Sequence, residues 1–190
     1  TSDNGGGNAR KEKIDGESRR FNGPLQEGKR SIFEGGIRVP TVIAGPSIKP
    51  GSQCDVPIVQ WDFLPTFHDL SDSKAPLPEN VDGGSLRDVF ASGNRGEVKR
   101  AAPGIIHHYP CHYHPPISSI IIGDYKLMRH LNSGVVKLFN IKDDYREQHD
   151  LYYSMPAKVA EMDAIRQKYV EEVDGGTAEQ VREAHHKTMD

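Results

Sequence analysis

The sequence predicts an α/β fold that ends in a small antiparallel sheet packed on a helix. Three runs carry the sheet: Ser118 to Gly123, Tyr125 to Leu131 and Val135 to Ile141, joined by turns at Gly123-Asp124 and Asn132-Ser133-Gly134, as in a meander. Met155 to Val170 carries apolar residues at 155, 159, 162, 165 and 169, a helical stripe that one sheet face can bury. Ile37 to Ala44 (IRVPTVIA) is short and β-branched, which fits a strand covered on both faces, although Pro40 is a flaw in it.

The remaining elements follow in chain order. Residues 1 to 36 are nearly all polar, Gly or charged and show no useful period, so they read as a long surface segment that carries function. After the Gly45-Pro46 to Pro50-Gly51 turn, Val56 to Leu70 has a helix period that Pro65 should kink or begin anew. Ser71 to Asp82 is a Pro-rich linker, and Gly83 to Ala91 makes a short amphipathic helix. Ala102 to His108 reads as a strand leading into a loop, and Thr177 to Met189 as a weaker, charged helix.

The 190 residues suit one domain or the last part of a larger one, and 35% hydrophobic residues with a mean hydropathy of −0.64 hint at missing core. A net charge of −3 gives no reason to expect nucleic acid or a membrane surface as partner. From Asn8 to Ser31, however, seven Lys or Arg stand against four acids, a local field suited to steering an anion. Cys54 and Cys111 form no CxxC, so structural zinc is not expected and a disulfide is left open. No apolar run approaches the roughly 18 residues that cross a bilayer.

Chemistry concentrates near the start. In Thr1-Ser-Asp-Asn-Gly-Gly-Gly7, Asp3 and Asn4 offer oxygen donors only, the preference of Ca²⁺ or Mg²⁺, and three glycines let the backbone bend closely. The same letters also make an ordinary Asx turn. About two dozen residues on comes Gly28-Lys-Arg-Ser-Ile-Phe-Glu-Gly-Gly-Ile-Arg-Val-Pro40. Further along lie Pro46 to Gly51 (PSIKPG), Trp61-Asp-Phe-Leu-Pro-Thr-Phe67, and Leu138-Phe-Asn-Ile-Lys-Asp-Asp144 followed by Glu147. In this order and spacing the segments resemble the C-terminal half of the type I, formylglycine-dependent sulfatases of the alkaline phosphatase superfamily, over roughly residues 1 to 155.

That resemblance implies a division into residues 1–101, part of the large α/β domain, and 102–190, a small subdomain of antiparallel sheet plus helix. It implies an arylsulfatase-like sulfuric ester hydrolase, with Ca²⁺ (or Mg²⁺) on Asp3 and Asn4 and the Lys29 ammonium against the sulfate of an aryl sulfate or sulfated carbohydrate. The family nucleophile, a formylglycine made from Cys or Ser in (C/S)-x-P-x-R, is matched nowhere here, and the paired aspartates that complete its cation site are absent too. The chain is therefore expected to be a C-terminal portion, inactive without the N-terminal part. In the intact enzyme the resemblance implies attack of the hydrated aldehyde on sulfur, then elimination of sulfate. It also suggests a periplasmic or secreted location.

Other readings compete at single motifs. Gly23 to Lys29 satisfies the G-x-x-x-x-G-K part of a P-loop, but Arg30 stands where Ser or Thr must hold Mg²⁺. Glu34 could orient Lys29 or Arg30, or form a structural ion pair with Arg38. His107-His-Tyr-Pro-Cys-His-Tyr-His114 could be a transition-metal cluster, a pocket lining or an incidental loop; the resemblance places it near the substrate entrance, and Pro110 and Pro115, which should hold the loop rigid, favour His112 and His114 as contacts. Asp143-Asp144 reads as a turn. A phosphatase or phosphonate hydrolase of the same superfamily, or a non-catalytic module binding sulfated glycan, are the alternative functions.

Overall fold

A computed structural model describes residues 1–7, 11–14, 17–46, 48–93, 95–110, 115–177 and 179–180, with the backbone alone at 11–14 and 17–20. The chain forms two compact units, one of Thr1–Thr41 with Ile106–Asp190 and one of Val42–Ile105.

The first unit is built on the expected meander. Strands β3 (Ile105–Tyr109), β4 (Ile117–Ile122), β5 (Tyr125–His130) and β6 (Val136–Asn140) make a sheet in that order, and the β4/β5 and β5/β6 pairs are antiparallel. Gly123 and Gly134, at φ +57° and +71°, supply the left-handed turn residues that the two tight connections need. Ile120, Leu127 and Leu138 lie opposite one another across the three strands and are fully buried. Helix α4 (Pro156–Glu172) covers them through Val159 and Met162, with Met155, Ile165 and Tyr169 packed alongside. Each such side chain contributes about 1.5–3 kcal/mol by leaving water.

The opposite face of the sheet is covered as well, which the sequence did not predict. Instead of running over the surface throughout, the polar N-terminal segment makes a hairpin, β1 (Lys11–Ile14) with β2 (Glu17–Arg20). It then buries Ile32, Phe33 and Glu34 at the entrance to a one-turn helix, α1 (Glu34–Ile37). The Phe33 and Phe139 rings sit 6.5 Å apart, which places this turn against β6.

The expected strand at Ile37 to Ala44 does not form: beyond α1 the segment has no regular structure and is mostly exposed, with Val42 88% accessible. A strand needs a partner for its N–H and C=O groups, none pairs with it among the described residues, and Pro40 has no N–H to offer.

In the second unit a 3-10 turn at Gln60–Asp62 leads into α2 (Phe63–Leu70), so the helix begins later than Val56 and Pro65 falls in its first turn, where it is tolerated. Helix α3 (Arg87–Ala91) is shorter than the expected 83–91. Leu86, Val89 and Val98 form a small core between them. Buried Asp62 ties the unit together. It accepts from Val59 N, Gly84 N and, through both oxygens, the Arg100 guanidinium at 2.9 and 2.7 Å. Thr66 Oγ donates to the Asp62 carbonyl and accepts from Leu86 N, so both polar residues of the Asp-Phe-Leu-Pro-Thr motif serve structure here. Cys54 is an exposed free thiol. Among the described residues no helix is long and apolar enough to cross a membrane.

Candidate functional site

The site is assembled from two loops that backbone hydrogen bonds lay side by side. Lys29 N donates to Gly6 O at 2.8 Å, and Gly5 N donates to Gly36 O at 2.9 Å. Asn22 bridges the same stretch: its Oδ1 accepts from Gly6 N while its Nδ2 donates to Gly6 O and Glu27 O. The close approach explains the glycines. A Cβ on Gly5 would stand 1.8 Å from Gly35 O, and one on Gly35 would stand 2.2 Å from Gln26 O. Glu27 and Arg30, at φ 54° and 75°, flank Gly28-Lys29 in the left-handed region, so this loop is held tightly enough to keep two unfavourable conformations.

Within this frame Asp3 and Lys29 are exposed and Asn4 is half-buried. Asn4 Nδ2 donates to Asp3 Oδ2 at 2.6 Å, and Ser2 Oγ donates to Asn4 O. His112 and His114, proposed as substrate contacts, lie outside the described residues, as does Cys111. Their neighbour His107 is on β3, and burial, with the positive charge of Lys126 second, holds its imidazole down at about 4. His107 is therefore neutral near pH 7. Among the described residues no cluster of three or more His, Cys, Asp or Glu is placed to hold a metal ion.

Behind α1 lies a group of charges that sequence reasoning missed. Lys126, on β5, is fully buried, with Nζ 2.9 Å from Glu34 Oε1 and 2.7 Å from Glu147 Oε1. Glu34 also takes Arg38 Nε at 2.5 Å, so the ion pair with Arg38 exists and the buried lysine adds to it, while among the described residues no hydrogen bond or ion pair joins Glu34 to the side chain of Lys29 or Arg30. Burial pushes the Glu34 carboxyl up, but Lys126 and Arg38 outweigh it and leave Glu34 below the ordinary range. At Glu147 burial wins and the carboxyl sits above it. The one available signal was the pattern Tyr-Lys-Leu-Met: a lysine inside a strand whose neighbours are apolar calls for a buried acid somewhere in the fold. The Asp143-Asp144 turn is as expected, with Asp144 N donating to Asn140 O.

Residues 26–174 match the family described as N-sulphoglucosamine sulphohydrolase, C-terminal. Arylsulfatase K of Xenopus laevis is 27% identical over 145 residues, which are 71% of this chain and 26% of that protein. Human steryl-sulfatase is 35% identical over 91 residues, 46% of this chain and 15% of that protein. Among solved structures, Ps i-CgsB, also determined in complex with k-i-k-neocarrahexaose, superposes with a TM-score of 0.68 at 27% identity, covering 88% of this chain and 34% of that one. The chain thus spans about a quarter of the length of arylsulfatase K and a third of that neighbour. A family match over most of the chain, and a sheet, helix and loop arrangement shared with that neighbour, agree with the motifs: the chain belongs to the sulfatases, as a C-terminal α/β portion of that fold.

Proposed function

We propose that the protein carrying this chain is a sulfuric ester hydrolase and that Asp3, Asn4 and Lys29 are this chain's contribution to its sulfate site. The observation that supports this most directly is the Lys29 N to Gly6 O bond, which brings the lysine loop against the segment bearing the two oxygen donors. An all-oxygen donor pair followed by a side-chain-free cradle suits a hard cation such as Ca²⁺ or Mg²⁺. Two side chains fall short of the roughly six to eight oxygens Ca²⁺ takes, so further ligands would come from elsewhere in the protein. When bound, the cation would neutralise charge on the sulfate oxygens.

Lys29 would add a compact ammonium to the same anion, donating to an oxygen whose charge grows in the transition state. Asp3 and Asn4 would fix where the anion sits. A formylglycine outside this chain would supply the nucleophile, since no residue here fits that role. His112 and His114 would line the substrate entrance. The oligosaccharide bound by Ps i-CgsB favours a sulfated carbohydrate over a simple aryl sulfate as substrate.

The test is turnover of p-nitrophenyl sulfate against p-nitrophenyl phosphate by the full-length protein. Sulfate should be preferred, and chelation followed by Ca²⁺ should remove and restore activity. Lys29→Ala should lower kcat by about 10²-fold, about 2.7 kcal/mol. A loss below about threefold removes Lys29 from the mechanism, and a preference for phosphate overturns the reading.

A further inference from the structure

Taking three charged groups out of water costs several kcal/mol per ion, and an apolar trio of similar volume commonly serves a core as well or better. The Lys126, Glu34 and Glu147 cluster therefore calls for a reason beyond stability, and its connections suggest one. All of them converge on α1. Glu147 binds Lys126 with Oε1 and accepts the Glu34 main-chain N–H with Oε2 at 2.7 Å. Glu34, held by Lys126 through one oxygen and by Arg38 through the other, is the first residue of α1. Gln26 donates its side-chain amide to the Glu147 and Arg146 carbonyls, and Gly35 N returns to Gln26 O.

From α1 the linkage runs straight to the proposed site. Gly36 O takes Gly5 N, and Gly6 O takes Lys29 N. The packing leaves no slack, since a Cβ on Gly36 would meet Ser31 O at 2.0 Å and one on Gly5 would meet Gly35 O at 1.8 Å. A shift of α1 must therefore move Gly5, and with it the spacing between Asp3-Asn4 and Lys29.

We propose that Lys126, Glu34 and Glu147 are positioning residues: a buried brace that fixes α1 against the sheet and, through Gly36–Gly5 and Gly6–Lys29, sets the geometry between the cation ligands and the sulfate-binding lysine. None of the three touches the substrate. Their importance for turnover rests on the site reading above; the coupling of the brace to the loop does not.

The experiment measures amide hydrogen exchange in the full-length protein at Gly5 and Lys29, with Val159 of α4 as internal reference, alongside kcat on p-nitrophenyl sulfate. In Lys126→Met, exchange at Gly5 and Lys29 should rise about tenfold or more while Val159 is unchanged, and kcat should fall by a similar factor. Because this variant leaves two carboxylates facing one another, it is paired with Lys126→Met/Glu147→Gln, which restores charge balance. Fast exchange at Gly5 and Lys29 persisting in the double variant at parental melting temperature supports the brace. Exchange that returns to the parental rate together with the melting temperature overturns it and reduces the cluster to a packing feature. The two readings fail separately. If Lys29→Ala abolishes turnover but Lys126→Met alters neither exchange nor kcat, the brace falls and the site stands. If Lys126→Met speeds exchange but Lys29→Ala is fully active, the site reading falls and the brace stands.

Discussion

The two faces of the four-stranded sheet are both buried, yet they are held by different physics. Leu127 and Lys126 are consecutive in β5 and both are fully inaccessible. Leu127 faces α4 among Ile106, Ile120, Leu138 and Met162, where any close-packed apolar neighbour would serve. Lys126 faces α1 and depends on two named carboxylates, 92 residues before it and 21 after it. Leu127 tolerates imprecision in its neighbours, whereas Lys126, set between Ile121 and Phe139, admits one arrangement of its two carboxylates. A one-residue slip of β5 would carry the ammonium into the α4 core, so the lysine also guards the register.

The sharpest way to break this contrast is to truncate each residue in turn. Lys126→Ala leaves buried Glu147 without its cation and Glu34 with Arg38 alone, and should cost about 3–5 kcal/mol in denaturant unfolding at pH 7. Leu127→Ala removes packing from the other face and should cost about 3 kcal/mol. The order matters more than the values. If Leu127→Ala is the more harmful, the charged cluster is a tolerated accident and not a specifying device. The difference should also respond to partner substitution, since Lys126→Met/Glu147→Gln should regain stability, whereas no single neighbour change rescues Leu127→Ala.

The same contrast explains what the sequence could reveal. The meander and α4 were legible because their signals are local: alternation, two Gly-containing turns, and a 155/159/162/165/169 stripe that all lie within about one element of one another. The segment 37–44 has equally strong β propensity and failed, because a strand is defined by a partner and propensity says nothing about whether one is present. The segments 1–7 and 28–36 were legible as motifs, and the bond from Lys29 N to Gly6 O lays them side by side, which supports the role proposed for them without depending on any other part of the fold. The brace was not legible. Glu34 and Glu147 were both noticed as motif letters, but the lysine that joins them stands in a strand far from either, and pairing at 92 residues' separation leaves no periodic trace. Asp62 and Thr66 were read only as a family signature, and the Arg100 contact that explains the buried Asp62 lies 38 residues away.

A smaller effect sharpens the comparison through pH. His107 lies on the same face as Lys126, and its imidazole is lowered from 6.5 to about 4 by burial and then by that lysine. A depressed folded-state value means the unfolded chain binds the proton more readily. Stability from this group is thus complete above about pH 6.5 and is lost as pH falls toward 4. The loss should be on the order of 2–3 kcal/mol. It is read as the difference in unfolding free energy between the parent and His107→Leu across that range. Other groups titrate in both proteins, including Glu147, whose raised carboxyl works in the opposite direction, and they cancel in the difference. Equal pH slopes in parent and variant would mean that His107 is hydrated and that this face is wetter than its packing implies.

The smallest effect comes from the ion pair that joins β5 to α4. Arg129 Nε stands 3.0 Å from both oxygens of Asp163, and Asp163 also takes Arg166, whose Nη1 donates to buried Ser118. Burial pushes the Asp163 carboxyl up, but the two guanidinium groups outweigh it and hold it below the ordinary range, so the pair's contribution is present near neutrality and fades only as pH falls through that carboxyl. Arg129 remains 31% exposed. Truncation leaves Asp163 paired with Arg166, and the pair that is lost was partly screened by water, so Arg129→Ala should cost only about 1 kcal/mol at pH 7. That figure discriminates between two explanations of the Lys126 effect. If desolvation is what makes the α1 face unforgiving, a half-exposed pair must be several-fold cheaper to break than the buried one. If Arg129→Ala proves as damaging as Lys126→Ala, charge pairing in general stabilises this sheet, and the distinction between its two faces dissolves.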